Sequence, residues 1–246
     1  MATLIVTGGS RGIGAAVARL GAQRGYAVAV NYASNAAAAE ATVRAIHDAG
    51  GVAEAFQGDV AAEADVCALF EAAERLGPLA ALVNSAGIVG PYGRLDEADV
   101  DGLRRTVEIN VMGSILCCRE AVKRLSTRHG GTGGAIVNLG SMAAELGSPG
   151  EFVTYAASKG AIDSLTIGLA REVAKEGVRV NAVRPGLIDT DIQMIPGVGS
   201  RLDKFATSPP IGRPGTAEET AEAILWLLSD AASYVTGAVL NVSGGR

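Results

Sequence analysis

Aromatic residues are scarce in this chain of 246 residues: Phe, Trp and Tyr together supply 4%, with a single tryptophan, Trp226. A core of this size must therefore be aliphatic, and Trp226 is read as core or interface, not as a substrate platform. Histidine is nearly missing, with two copies, His47 and His129, each just ahead of a glycine-containing turn; three cysteines complete the soft ligands. Cys67, Cys117 and Cys118 have no CxxC spacing, so no metal site is expected and the thiols read as small, reduced hydrophobes. A basic stripe is also lacking. The formal net charge is −5, which excludes a phosphate-backbone binder. The longest basic cluster, Lys123-Arg124 with Arg128 nearby, reads as a solvated helix end. No apolar run approaches the ~20 residues that span a bilayer. Met1–Val6 enters a short apolar run that meets glycine at Gly8, with no n-region, h-region or cleavage site, so a soluble cytoplasmic protein is expected.

Against these gaps stand 48% hydrophobic residues and 33 glycines. The hydrophobic share is that of a globular chain, and the glycines imply tight turns and close backbone approaches. Short β-branched runs alternate with longer alanine-rich segments. The strand candidates are 4–7, 27–31, 52–57, 81–84, 135–139, 179–183 and 238–242. Most are apolar throughout, as strands covered on both faces must be. Helix-length segments lie between them at 12–24, 36–49, 63–76, 103–126, 154–175 and 216–229. The alternation predicts an α/β fold: one Rossmann-type doubly wound domain over 1–246, a parallel sheet of about seven strands with helices on both faces. Residues 187–214, with Gly197, Gly199 and four prolines, break the rhythm. An insertion there lies beyond the carboxyl ends of the strands, where ligands bind, so it reads as a substrate lid or a plain surface loop.

After the first strand comes Thr7-Gly8-Gly9-Ser10-Arg11-Gly12-Ile13-Gly14, opening into a helical pattern. Glycine at 8, 12 and 14 permits the turn, clears side chains from an approaching pyrophosphate and lets a helix N-terminus face it. A glycine trio alone is weak evidence; its place between strand and helix makes it strong. A site that binds the ribose 2′-hydroxyl of NAD usually has an acid at the end of the second strand. Here that strand runs Val28-Ala29-Val30-Asn31-Tyr32-Ala33-Ser34, without one. Arg11, Asn31 and Ser34 offer charge and donors to a 2′-phosphate instead, which predicts NADP(H).

With these motifs the sequence resembles the short-chain dehydrogenase/reductase family from Thr7 to the C-terminus. The resemblance rests on an ordered set: Thr7–Gly14, Asp59-Val60, Asn84-Ser85-Ala86-Gly87, Asn110, Ser141, Tyr155-Ala156-Ala157-Ser158-Lys159, and Pro185-Gly186 followed by Thr190. It is most similar to bacterial 3-oxoacyl-carrier-protein reductases and to glucose 1-dehydrogenase-like enzymes. The resemblance implies that Asp59 contacts the adenine amino group with Val60 beside the ring. Asn84, Ala86 and Gly87 would line the cofactor cleft, and Pro185, Gly186, Ile188 and Thr190 would hold the nicotinamide. Asn110, Ser141, Tyr155 and Lys159 match the catalytic tetrad, with Asn110 positioning a water that leads protons to Lys159. The chain departs from the family pattern at Ser85, at Gly140 before the catalytic serine, and at Ser243 in the C-terminal tail.

Chemistry supports the same residues. Tyr155 and Lys159 are four apart, hence on one face of a helix. An unperturbed phenol titrates near pH ~10, too high for easy proton exchange at neutrality, and a nearby ammonium favours phenolate. Ser141 just past the fifth strand can hold the substrate oxygen. A Tyr/Lys pair is a common accident on an exposed helix, but not with Ser141 and a nucleotide turn in the same chain. The expected reaction is hydride transfer between NADP(H) and a carbonyl or alcohol. A non-catalytic NADP(H)-binding redox sensor and a methyltransferase remain as alternatives. The expected substrate lining, 142–146, 151–152 and 187–195, includes Glu145 and Glu151. Two carboxylates argue for a neutral ketone, aldehyde or 3-oxoacyl substrate. The apolar surface of the segments 103–126 and 154–175 suggests a homotetramer that pairs them.

Overall fold

Strands that are apolar at every position need cover on both faces, and that requirement organises the molecule. The computed structural model describes all residues, 1–246. In chain order the elements are β1 (Ala2–Thr7), α1 (Gly12–Gln23), β2 (Tyr26–Tyr32), α2 (Ala36–Asp48), β3 (Val52–Gln57), α3 (Glu63–Ala73) and β4 (Leu79–Asn84). The second half continues with α4 (Val100–Val107), a π-helical turn (Glu108–Gly113), α5 (Ser114–Leu125), β5 (Gly134–Leu139), α6 (Ala143–Leu146), α7 (Val153–Val173) and β6 (Val178–Pro185). A small hairpin of β7 (Met194–Ile195) and β8 (Gly199–Ser200), then α8 (Arg201–Phe205), α9 (Ala217–Leu228) and β9 (Val239–Val242), completes the chain.

Seven strands form one sheet in the order β3-β2-β1-β4-β5-β6-β9, every pairing parallel. Side chains on a strand alternate faces, and here both sets are apolar. Leu4, Val6, Val28, Val30, Val83 and Val137 pack with α1 and α9 on one side through Val17, Ile224 and Leu225. Ile5, Leu82, Ile136 and Val180 pack on the other with Phe70 of α3 and Cys117 and Leu125 of α5. The two cysteines of α5 serve as core hydrophobes: both are buried, and burial raises their thiol pKa, Cys118 to about 12.

The sequence-based boundaries shift mainly at the ends. The segment 103–126 is not one α-helix: it begins at Val100 and widens to a π-turn over Glu108–Gly113 that includes Asn110. The end of α5 is also not simply solvated. Glu120 is buried and binds Lys123 at 2.7 Å and Arg124 at 3.0 Å, so that basic cluster neutralises an internal carboxylate. Trp226 is not core; it is exposed on α9. No helix is long and apolar enough to cross a membrane.

Because the chain leaves β1 towards β2 and β3 and later returns to β4 on the other side, the carboxyl ends of β1 and β4 diverge and open a crevice. The loops that follow β1 to β6 all face it.

Candidate active site

These loops enclose one cleft of about 1320 Å³, roomy beyond the ~300–1,000 Å³ of ordinary small-molecule pockets. Its floor is the glycine turn. The Thr7 hydroxyl accepts from the backbone N–H of Ser85 and of Ala86, at 3.1 and 3.2 Å, tying the turn to the loop after β4. The approach is so close that a Cβ on Gly8, at φ +60°, would stand 2.9 Å from the Ala86 nitrogen. A Cβ on Gly14 would run into the Gly8 carbonyl. α1 then begins at Gly12 with no side-chain cap and no acid in its first turn. Its leading N–H groups and dipole are therefore available to an anion, which fits the pyrophosphate of a dinucleotide. Gly8, Ser10, Arg11, Gly12 and Ile13 line the cleft, while Gly14 supports them from behind.

At the far end of the floor, Arg11 is exposed, makes no ion pair and lines the cleft with Ser34. Asn31 does something different from the expected phosphate contact. Its amide donates to the Gly58 carbonyl at 3.0 Å, its oxygen faces the Gly8 N–H at 3.4 Å, and it is buried. It clamps the turn to the end of β3, so its donors are already in use. Tyr32, Ala33 and Asn35 line this end as well, positions sequence reasoning did not single out. Asp59 and Val60 line the cleft too. Burial alone would raise the Asp59 carboxyl pKa, but bonds from the Ala61 N–H and from Arg105 outweigh it and hold the group below its ordinary value. Arg105 was missed; it belongs to no motif, and only the packing of α4 beside the loop after β3 brings it to Asp59 and the cleft.

The catalytic candidates sit where β5 and α7 meet. Ser141, Tyr155 and Lys159 all line the cleft, beside Pro185, Gly186, Ile188 and Thr190 from the β6 side. The Ser141 hydroxyl accepts from the Ala143 N–H at 3.1 Å, which orients it. The Lys159 ammonium donates to the Leu139 carbonyl at 2.6 Å and lies 5.6 Å from the centre of the Tyr155 ring. Asn110 and Asn84 are not in the cleft wall. Asn110 accepts from the Ile88 N–H and donates to the Ile88 carbonyl, both at 2.9 Å, and donates to the Ser158 hydroxyl at 3.0 Å. Both amide donors are thus engaged, and the side chain fixes the Gly87-Ile88 loop beside Lys159. The π-turn sets Asn110 at this angle, a local geometry that no sequence pattern announced. Asn84 donates to Asn138 at 2.9 Å and, at 3.3 Å, to the Cys118 sulfur, locking β4 to β5 behind the cleft.

The electrostatics depart from the expectation of a phenol made acidic by Lys159. Burial raises the Tyr155 pKa on balance; the groups that pull it down are the Ser141 side chain and the charge of Arg201. Lys159 is itself perturbed: burial lowers it to about 8, against an upward pull from Asp163. The Tyr155 phenol is thus held in its neutral form, and the Lys159 ammonium loses its proton as pH rises through about 8.

The substrate end of the cleft is also unlike the expectation. Glu145 is not in the wall; it turns away to pair with Arg184. Glu151 is in the wall but bound by Arg201 at 3.0 Å. Lys204 and Arg246 add positive charge to the same end. The two carboxylates therefore do not repel an anion, and the argument from them for a neutral substrate falls. The hairpin and α8 form part of this wall, so the segment 187–214 is structured over the cleft.

A family model described as enoyl-(acyl carrier protein) reductase matches residues 8–246. An Escherichia coli protein named uncharacterized oxidoreductase YgfF is 52% identical over the full length of both chains. The chain belongs to the short-chain dehydrogenase/reductase family. A bovine 3-oxoacyl-[acyl-carrier-protein] reductase is 43% identical over 98% of this chain and 95% of its own. A Burkholderia cenocepacia short-chain dehydrogenase solved in complex with NADP superposes with a TM-score of 0.90 at 34% identity, covering 99% of this chain and 97% of that one.

One departure from the usual pattern of short-chain dehydrogenases/reductases acquires a reason here. At Gly140 a Cβ would lie 3.2 Å from Asp163 Oδ1 and 3.2 Å from Arg184 Cγ. The space is taken by Asp163, one turn beyond Lys159 on α7, whose other oxygen accepts from Arg184 at 2.9 Å. Its Oδ1 is buried without a partner. Since Asp163 holds the Lys159 pKa up, Asp163→Asn should move the alkaline limb of the pH–rate profile to lower pH. The expected loss is about threefold or more at pH 8 with little change at pH 6. Superimposable profiles would show that Asp163 does not act on the ammonium.

Proposed function

We propose that the protein is an NADP(H)-dependent oxidoreductase that interconverts a carbonyl compound and its alcohol. The observation that carries this reading is the convergence of Ser141, Tyr155 and Lys159 on the cleft whose floor is an acid-free helix start. When bound, the nicotinamide supplies or accepts the hydride. In reduction, the Ser141 hydroxyl holds the carbonyl oxygen and stabilises the charge that develops on it. Tyr155, neutral because burial raises its pKa, gives that oxygen its proton. Lys159 would bond the nicotinamide ribose, and its charge favours the phenolate left behind. Pro185, Gly186, Ile188 and Thr190 would flank the ring. Asn110 keeps the Gly87-Ile88 loop in register with Lys159.

The preference for the 2′-phosphorylated cofactor rests on Arg11, an uncompensated cation beside Ser34, and on the absence of any acid at the end of β2. The segment 187–214 serves as the substrate lid. A redox sensor would use the same nucleotide floor, but nothing in its task calls for Ser141 and Tyr155 side by side. The test is a panel of ketones, aldehydes and 3-oxoacyl thioesters with NADPH, and of alcohols with NADP⁺, followed by cofactor absorbance. Substrate-dependent turnover is expected; cofactor binding with no turnover on any compound would favour the sensor.

Association is proposed on separate grounds. Val100, Val107, Met112 and Ile115 along α4 and α5, with Ile167 on α7, are exposed large hydrophobics. Pairing these helices across a symmetry axis would cover them in a homotetramer. Light scattering should give four times the 24.8 kDa chain mass; a monomer would end this proposal.

A further inference from the structure

The substrate end of the cleft concentrates cations around one ring. Arg201, Lys204 and Arg246 lie 5.6, 4.9 and 5.9 Å from the centre of Phe205, and Arg201 is also 5.6 Å from the centre of Phe152. Contact with two aromatic rings holds the guanidinium in place and takes part of it out of water. Its hydrogen bonds are incomplete. Nη2 donates to Glu151 at 3.0 Å, Nη1 reaches Gln193 only at 3.4 Å, and Nε is buried with no partner at all. The acids of this region are Glu151, already engaged, exposed Asp191, and the chain's own terminal carboxylate. Arg201 lines the cleft together with Tyr155, close enough for its charge to act on that phenol, and its Nη1 is held there only by the long contact to Gln193.

We propose that Arg201, backed by Lys204 and Arg246, binds a carboxylate carried by the substrate, so that the preferred substrates are oxo acids or hydroxy acids. The reading rests on the oxidoreductase assignment above and narrows its substrate class. The Nη1 donor, held only by the long contact to Gln193, and the ammonium of Lys204 beside it supply charge-assisted bonds to that carboxylate. The acid is held at one end while its carbonyl lies against Ser141 and Tyr155. Glu151, bonded to Nη2, competes for the same cation and so sets the affinity.

The test compares a series of oxo acids of increasing chain length with their methyl esters, using NADPH as reductant. For the best acid, kcat/KM is expected to exceed that of its ester at least tenfold. In Arg201→Met the ratio should fall to near one, and in Glu151→Gln the KM for acids should drop while that for esters stays. Binding of the same compounds to the NADP⁺-loaded protein is read by calorimetry. An acid-to-ester ratio near one in the wild type, or one that survives in Arg201→Met, overturns the inference and leaves the oxidoreductase reading intact. Arg201-dependent binding of acids with no turnover of either series would leave the anion site standing and remove the hydride-transfer reading.

Discussion

Replacing Tyr155 by phenylalanine is expected to lower kcat/KM by about 10²–10⁴, the range that a lost general acid commands. The substitution removes one oxygen from a side chain that stays in place, because Tyr155 sits on the long helix α7 between the buried Ala156 and the loop holding Ser141. No other group in this wall can take over. Lys159 donates to Leu139, and the Ser141 hydroxyl is oriented by Ala143. NADPH affinity should change less than twofold, since the pyrophosphate floor lies at the other end of the cleft. Steady-state kinetics with cofactor binding by fluorescence separates the two quantities. A variant that keeps a tenth or more of its activity would mean that the proton comes from elsewhere.

The second large effect is expected at Arg11. This side chain is exposed, has no acidic partner and borders the cleft where the second ribose must lie. A charge-assisted bond to a 2′-phosphate contributes about 1.5–3 kcal/mol, so Arg11→Ala should weaken NADPH by about 10–100-fold at low salt. NADH, which lacks the phosphate, should be nearly unaffected. The selectivity ratio is the decisive quantity, because any damage to the glycine turn itself would lower both cofactors together. Equal losses for the two would place the phosphate away from Arg11.

The sheet was legible because its strands are uniformly apolar and its turns are glycine-rich; β1 to β6 lie where those runs fall, displaced by a residue or two at the ends. The cleft was legible for a related reason. Backbone requirements leave marks, such as glycine at 8 and 14, where a side chain has no room. Pairing of side chains leaves none. Nothing in the order of residues announces that Arg184 draws Glu145 out of the cleft, or that Arg201 engages Glu151. Asn31 illustrates the same limit: it was expected to offer its donors to a 2′-phosphate, but the carbonyls of Gly58 and Phe56 claim its amide. Asn110 needed the π-turn, one extra residue in a helix that periodicity draws as regular. Arg105 and Arg246 reach the cleft only through the path of α4 and of the C-terminal tail. The tail folds back because Gly186 leaves room for Ser243, with its N–H donating to Val242 at 3.0 Å.

The reversal in the electrostatics of Tyr155 has a plain physical cause. Four residues along a helix put Lys159 on the right face, but its ammonium is drawn to the Leu139 carbonyl, and burial then raises the phenol.

Hydride transfer can be followed by isotope. NADPH carrying deuterium at the reactive ring carbon, incubated with an accepted carbonyl compound and the wild-type protein, is predicted to yield an alcohol with one deuterium on the former carbonyl carbon. The hydroxyl proton comes from solvent by way of Tyr155. An alcohol without label at that carbon would contradict the account.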